Sequence, residues 1–366
     1  MAGSPALMPE GPEEDIVCED KIAVIEGAYL GDILEQPKAL ADTLLSLKKT
    51  NSLARIAKQL QEGKFRRVVL TGMGSSYHAL HPINLELIDH GYTPLMSETS
   101  ELVHYESRIF DDKTLIIAVS QSGQSAEVIR LLEMNRGRCA LLGITNTSGS
   151  LLAQQAEAAI VTQAGDEFSV SCKTYVTGLM ALTWLGDLLC GRDLPQCEAA
   201  LAQASTATAN YLAHWKENIL CLADALVGVR HLFLVGRGCS LASAGTGALI
   251  VKESDHFYAE GMSSAAFRHG PVEMLSQETF VLVFAGDART SELNHRLQQD
   301  IKRQNGRSEV VGANSALHCC RIADHPASIR PILEILPVQM ITLALAALEG
   351  REPGRFEFAS KVTTTE

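Results

Sequence analysis

The feature that most constrains the fold is an internal repeat. The 366-residue chain writes one strand-and-loop pattern twice, in the same order and at nearly one offset. Arg67-Val-Val-Leu-Thr-Gly-Met-Gly74 runs an apolar strand into a glycine loop, and His231-Leu-Phe-Leu-Val-Gly-Arg-Gly238 does the same 164 residues later. Thr114-Leu-Ile-Ile-Ala-Val-Ser120 recurs as Thr279-Phe-Val-Leu-Val-Phe-Ala285, 165 residues later. A third pair, Ala140-Leu-Leu-Gly-Ile-Thr145 and Glu309-Val-Val-Gly-Ala-Asn314, matches at Gly143 and Gly312.

Each repeated strand is a short, continuous apolar run, the pattern of a strand covered on both faces. Helical periodicity follows the strands over 125–135, 151–159 and 290–304. Strand alternating with helix predicts an α/β fold whose parallel sheets have right-handed crossovers. The expectation is therefore two tandem, doubly wound, flavodoxin-like domains. Residues 1–20 read as an acidic, Pro/Gly-rich disordered tail, 21–190 as the first domain, 191–353 as the second and 354–366 as a C-terminal tail. Residues 38–62 and 173–228 read as helical, and 329–348 as one more apolar helix. At 46% apolar residues the chain has ample material for two cores.

The formal net charge of −12 argues against a nucleic-acid-binding surface, so an anionic ligand has to be held by a local site. No uninterrupted apolar run reaches the roughly 18 residues that span a bilayer, and the N-terminus has neither a basic start nor an apolar stretch after it. The 9 cysteines include no CxxC pair and no metal-ligand spacing, and read as reduced, buried thiols. A cytoplasmic protein with no membrane, nucleic-acid or metal partner is expected.

In a parallel sheet, ligands bind beyond the carboxyl ends of the strands. Three polar loops fall there in the first half: Gly72-Met-Gly-Ser-Ser-Tyr77, Ser120-Gln-Ser-Gly-Gln-Ser125 and Thr145-Asn-Thr-Ser-Gly149. The hydroxyls of Ser120, Ser122 and Ser125, with the amides from Gly123 onward at a helix start, suit a phosphomonoester without any lysine. The competing reading is that these serines are simple helix caps. The first loop is neither a dinucleotide fingerprint, lacking its third glycine, nor a Walker A loop, lacking GK[ST]. In the second half the matching loop is Ala285-Gly-Asp-Ala-Arg-Thr290, with an acid where a phosphate would sit. Glu253, near the end of a helical stretch over 241–254, meets the negative end of a helix dipole, which raises a carboxyl pKa towards that of a general base. His269 lies in Phe267-Arg-His-Gly-Pro271, where an imidazole can exchange protons near neutrality. By pattern alone each also reads as an ordinary surface or structural residue.

These residues together resemble the sugar isomerase (SIS) domain family, and within it the isomerase half of glucosamine-6-phosphate synthase. The resemblance rests on Gly74-Ser-Ser76, Ser120-Gln-Ser-Gly-Gln-Ser125, Gly247-Ala-Leu-Ile-Val-Lys-Glu253, Tyr258-Ala-Glu-Gly-Met-Ser-Ser264, His269-Gly-Pro271 and Lys361-Val-Thr363, and covers the chain from about Ile22 to its end. It implies two SIS domains and a small sugar phosphate as ligand. Ser75, Ser76, Ser120, Gln121, Ser122 and Ser125 would hold the 6-phosphate. Gly74 and the loop Val170-Ser-Cys-Lys173, which is one residue short of the family pattern, would contact the sugar through Val170, Ser171 and Lys173. Glu253 would be the base that moves a proton between C1 and C2. His269 would open the ring from the neighbouring subunit of a homodimer, and Lys361 would close over the sugar, although alignment on Val-Thr sets Ser360 there. No cofactor is implied.

The departures are equally specific. The synthase's glutamine-hydrolysing domain has no counterpart in the sequence, and Ile250 and Thr246 stand where the family has a lysine and a glutamate. The function expected is conversion of an amino-sugar 6-phosphate, by deamination or by aldose–ketose isomerisation. The alternatives are a deglycase of sugar-phosphate–amino-acid adducts and a non-catalytic phosphosugar sensor.

Overall fold

The structure, a computed structural model, describes residues 19–363. The expected N-terminal tail up to residue 18 and the last three residues lie outside the described residues. The chain builds two parallel sheets. The first contains β1 (Arg67–Gly72), β2 (Pro94–Glu98), β3 (Thr114–Val119), β4 (Ala140–Thr145) and β5 (Ala158–Val161), in the order β2-β1-β3-β4-β5. The second contains β6 (His231–Gly236), β7 (Tyr258–Ser263), β8 (Thr279–Phe284) and β9 (Arg307–Val311), in the order β7-β6-β8-β9. In each sheet the order reverses beside the first strand, between β1 and β3 and between β6 and β8. A crevice therefore opens there at the carboxyl edge.

The repeat is one of register as well as of pattern. Arg67 pairs with Thr114 and His231 with Thr279. The third pair shifts from its sequence match: Ala118 pairs with Gly143, and its counterpart Val283 pairs with Val310. The structural equivalent of Gly143 is therefore Val310, and Gly312 lies past the end of β9. The shift is two residues, so the same faces stay buried.

β3 and β8 are buried at every position, as their apolar runs require. β2, β5 and β7 were not expected. β2 and β7 are edge strands with mixed exposure, so their sequences carry polar residues and lack a core strand's apolar run. The helix expected over 151–159 stops at Gln155, and Ala158-Ala-Ile-Val161 becomes β5, because so short an apolar run fits either state. The helical stretch over 38–62 is two helices, Gln36–Ser46 and Asn51–Gln61; Thr50 caps the second by accepting the Leu53 amide.

One apolar cluster crosses both halves. It joins Leu70 and Ile117 of the first sheet to Leu234 and Leu282 of the second through the helices Lys173–Leu189 and Arg330–Glu349. The latter helix is long and apolar enough to cross a membrane, but 94% of that stretch is buried within the fold, which marks it as a core helix. Smaller clusters cover the outer faces of the sheets, around Ile116 in the first and Val281 in the second.

The helix Leu241–Asp255 is wedged between β7, the helix Arg330–Glu349 and the turn at His78. Glycines make this approach feasible. A Cβ on Gly261 of β7 would fall 2.1 Å from the carbonyl oxygen of Ala244, and one on Gly245 would fall 2.2 Å from His78 Nδ1. A backbone atom cannot swing aside as a side chain can. Gly261→Ala is therefore expected to cost about 3 kcal/mol in overpacking, read as a lower urea midpoint; a midpoint equal to that of the unaltered protein would contradict this packing.

Candidate active site

A cleft of about 380 Å3 opens at the carboxyl edge of the first sheet, within the size range of small-molecule sites. Its floor is the serine cradle. Gly74 takes a left-handed turn, φ 53°, that swings the chain from β1 into Ser75 and Ser76, and both serines line the cleft. After β3, Ser120 Oγ accepts the Gly123 amide at 3.1 Å, and Ser122 Oγ accepts the Gln124 amide at 3.3 Å. Both hydroxyls act as acceptors in these bonds, so their own hydrogens stay free to donate. Gln121 lines the cleft beside them, and its carbonyl is held by the Thr145 hydroxyl at 3.1 Å.

Ser125 separates the two readings of this loop. It stands at the N-cap of the helix Ala126–Asn135, yet its side chain makes no capping bond. Ser150 and Ser263 do cap their helices in this chain, by accepting the Ala153 and Ala266 amides. Ser125 instead lines the cleft at a helix N-terminus, a place favourable to an anion.

The opposite wall comes from the second half. The last two turns of the helix Leu241–Asp255 bring Leu249 and Glu253 to the cleft, four residues apart on one face. Burial pushes the Glu253 carboxyl up to about 7; Lys252 and Lys361 pull it down and Glu167 pushes it further up. The direction agrees with the expectation from the sequence, but the leading cause is burial and not the helix dipole. Thr246 and Ile250 are both wholly buried and do not line the cleft. The departures at these two positions thus change the core behind the site and not its surface.

The C-terminal tail forms the roof. Phe356 and residues 359–363 line the cleft. The Gly354 amide donates to Ser254 O at 3.1 Å, the Ser169 hydroxyl donates to Gly354 O, and the Ala126 amide donates to Thr363 O at 3.1 Å. The tail is therefore tied to both halves. Lys361 Nζ reaches Glu167 Oε2 at 3.0 Å and Ser169 O at 3.2 Å. Ser360 also lines the cleft, and its hydroxyl is spent on Val362 O at 2.8 Å.

Glu167 was not anticipated from the sequence. Its carboxylate is almost fully buried and accepts the amides of Cys172 and Thr174 at 2.9 and 3.0 Å and the Thr174 hydroxyl at 2.7 Å. It thus caps the N-terminus of the helix Lys173–Leu189 and spends its remaining capacity on Lys361. An acid six residues ahead of a long apolar helix was the available signal. Ser169, Thr174, Leu249 and Phe356 also line the cleft without having been singled out. So does Glu127, a buried carboxylate in the first turn after Ser125 whose Oε2 has no hydrogen-bond partner.

Two expected contacts fall elsewhere. Val170 is fully buried in the core, with only its neighbours Ser169 and Ser171 facing the cleft. Lys173 is 2% exposed and turned away from the cleft: its Nζ bonds Asp32 Oδ1 at 2.9 Å, Glu35 Oε2 at 2.7 Å and Asp166 O at 2.6 Å. The loop is one residue short, and the lysine at its end is engaged beneath it by these acids. His269 is exposed at the end of the helix Ser264–Arg268 and does not line the cleft of its own chain.

Residues 63–186 and 225–348 each match the SIS domain family, which together is well over half of the chain. The glutamine–fructose-6-phosphate aminotransferase (isomerizing) of Pyrococcus horikoshii is 31% identical over 352 residues, covering 93% of this chain; the chain spans 58% of that relative's length. Among solved structures, the C-terminal domain of glucosamine-fructose-6-phosphate aminotransferase from Francisella tularensis superposes with a TM-score of 0.78 at 20% identity, covering 90% of this chain and 98% of that one. A glucosamine-6-phosphate deaminase from Thermotoga maritima superposes with a TM-score of 0.73 at 17% identity, covering 93% of this chain and all of that one.

A titration of carboxyl carbons by NMR tests the electrostatics of the cleft. Glu253 is expected to titrate near 7, and Lys361→Met to move its midpoint to higher pH, because the lost ammonium had favoured the ionised form. A midpoint near 4.5, or one indifferent to the substitution, would contradict the geometry.

Proposed function

The chain belongs to the SIS domain family, and from that membership we propose that it is a phosphosugar-processing enzyme acting on an amino-sugar 6-phosphate such as glucosamine 6-phosphate. One observation carries the reading: Glu253, a carboxylate from the second half with its pKa raised to about 7 by burial, lines the same cleft as the serine cradle of the first half. A base poised near neutrality opposite a phosphate anchor suits proton transfer between adjacent carbons of a sugar phosphate.

In the proposed reaction the 6-phosphate accepts hydrogen bonds from the hydroxyls of Ser75, Ser76, Ser120, Ser122 and Ser125 and from the amides at the following helix N-terminus. This remote grip supplies binding energy for orienting the carbons to be changed. Ring opening exposes the C1 aldehyde. Glu253 takes the proton from C2, and the electron pair left behind shifts to make C2 and C1 enolic. The same carboxyl returns the proton to C1, while O1 gains a proton and the C2 nitrogen gives one up through water, which leaves a C1 alcohol and a C2 imine. Water adds to C2, the amine leaves as ammonia, and fructose 6-phosphate results. Lys361, held by Glu167 beside the cleft, contributes positive charge against the enolate. Stopping before water adds would make the chain an isomerase. Fold-level likeness extends to a structure described as a tagatose-6-phosphate ketose/aldose isomerase and to one described as a glucosamine-6-phosphate deaminase.

His269 fits the ring-opening role only if it arrives from a second copy, so the proposal includes a homodimer with a shared site. Action in the cytoplasm is part of the same reading, supported by the free thiols at eight described cysteines. A sensor would need the cradle alone. Thr246 and Ile250, the departures that would favour it, are in the core and not in the cleft.

The test is incubation of the protein with glucosamine 6-phosphate in the absence of glutamine, with ammonia and fructose 6-phosphate measured. Both are expected to form; tight binding with neither product would establish the sensor instead. Glu253→Gln is expected to lose turnover by about 10²–10⁴-fold while still binding the sugar phosphate, and undiminished turnover would remove Glu253 as the base. Since the base must be ionised to accept a proton, kcat/KM should rise with pH below about 7 and level off above it.

A further inference from the structure

The second half keeps one serine of the cradle, at Ser240, and a buried side chain is bound there. By the register that relates the sheets, Ser240 after β6 is the counterpart of Ser76 after β1. The loop after β8 comes close to this serine: a Cβ placed on Gly286 would lie 3.7 Å from Ser240 Oγ. Where the first half opens a cleft, the second holds the carboxylate of Glu334, which is fully buried. Ser240 Oγ donates to Glu334 Oε1 at 2.8 Å, and Ser243 Oγ donates to Oε2 at 3.0 Å.

Both serines belong to the amino end of the helix Leu241–Asp255. Ser240 is its N-cap and makes no capping bond, and Ser243 lies in the first turn. The arrangement is that of an anion at a helix N-terminus gripped by hydroxyls, with the anion supplied by the chain itself. Burial pushes the Glu334 carboxyl up to about 7; the Ser240 and Ser243 hydroxyls and the Arg330 charge act against that rise, and the Asp287 carboxylate adds to it. The same helix carries Glu253 in its last turn.

We propose that Glu334 is the resident anion of a second, closed copy of the cradle, and that it positions Glu253 by clamping the amino end of the helix that carries it. The duplicated site then accounts for both roles. One copy takes the phosphate of a substrate, and the other takes an internal carboxylate and becomes a mount for the base. Each chain accordingly binds one sugar phosphate. The positioning role rests on the reading of Glu253 as the base, whereas the anion site stands without it.

Chemical rescue separates the two. Glu334→Ala leaves a carboxylate-sized hole lined by the two hydroxyls, which formate fits and neutral formamide matches in shape only. The variant is expected to melt at a lower temperature, with formate raising its Tm and formamide not. Its kcat should fall about tenfold or more and recover with formate, while KM stays within about twofold because the first cradle is untouched. No preference for formate over formamide would overturn the resident anion, and an unchanged kcat would overturn the positioning role. Should the alanine variant not fold, Glu334→Gln keeps the shape and loses the charge; a kcat and Tm equal to those of the unaltered protein would then overturn both. If the unaltered protein turns over no amino-sugar phosphate, the proposed function fails, and the response of Tm to formate still reports on the anion site.

Discussion

Everything distinctive about the cleft depends on how closely the helix Leu241–Asp255 is packed against its neighbours. A carboxylate belonging to the second half can face the cradle of the first only if this helix lies flat on β7 and hard against the turn at His78. Backbone-to-backbone approach of this kind leaves no space for a Cβ at Gly261, and the ring of His78 leaves none at Gly245. The apolar cluster that runs through both sheets makes the approach rigid, since neither half can rotate without breaking a shared core. The geometry of the site is therefore a property of the whole fold and not of one domain.

The electrostatics follow from the same packing. A chain with net charge −12 has no general field with which to attract an anion. It offers hydroxyls and amides at a helix N-terminus instead, donors that need no counter-charge and keep their strength where water is excluded. Around them the charged groups are few and mutually arranged. Glu167 is satisfied by the Lys173–Leu189 helix start and by Lys361, and Glu253 has its pKa raised mainly by burial. The tail that carries Lys361 contacts both halves, so it closes the site only when they are correctly docked.

The two halves share the order and register of four strands, with a fifth strand in the first alone, and their sites differ in the side chains they present. In the first half Ser75, Ser76, Ser120, Ser122 and Ser125 face an open cleft. In the second, Ser240 and Ser243 face a carboxylate from the helix Arg330–Glu349. Two copies of one anion-binding arrangement can thus serve different ends, one presenting donors to a ligand and the other bracing the element that works on it.

The sequence by itself determined the α/β class, the twofold repeat, the central strands and the serine loops. These are written in local patterns: continuous apolar runs for strands buried on both faces, and glycine and serine at the turns that leave them. The edge strands β2 and β7 were not legible, because half-exposed strands lack that run, and β5 was too short to tell from a helix. Only the tertiary structure decided which side chains meet in the cleft. Lys173 and Val170 sit in the expected loop, yet one is drawn beneath it by Asp32 and Glu35 and the other is in the core. Lys361 is far in sequence from Glu167, and Ser240 and Ser243 are far from Glu334, and the raised pKa of Glu253 comes mainly from burial. Local pattern records which face of an element is buried; what lies across that face depends on contacts between residues far apart in the chain, and these exist only once the chain is packed.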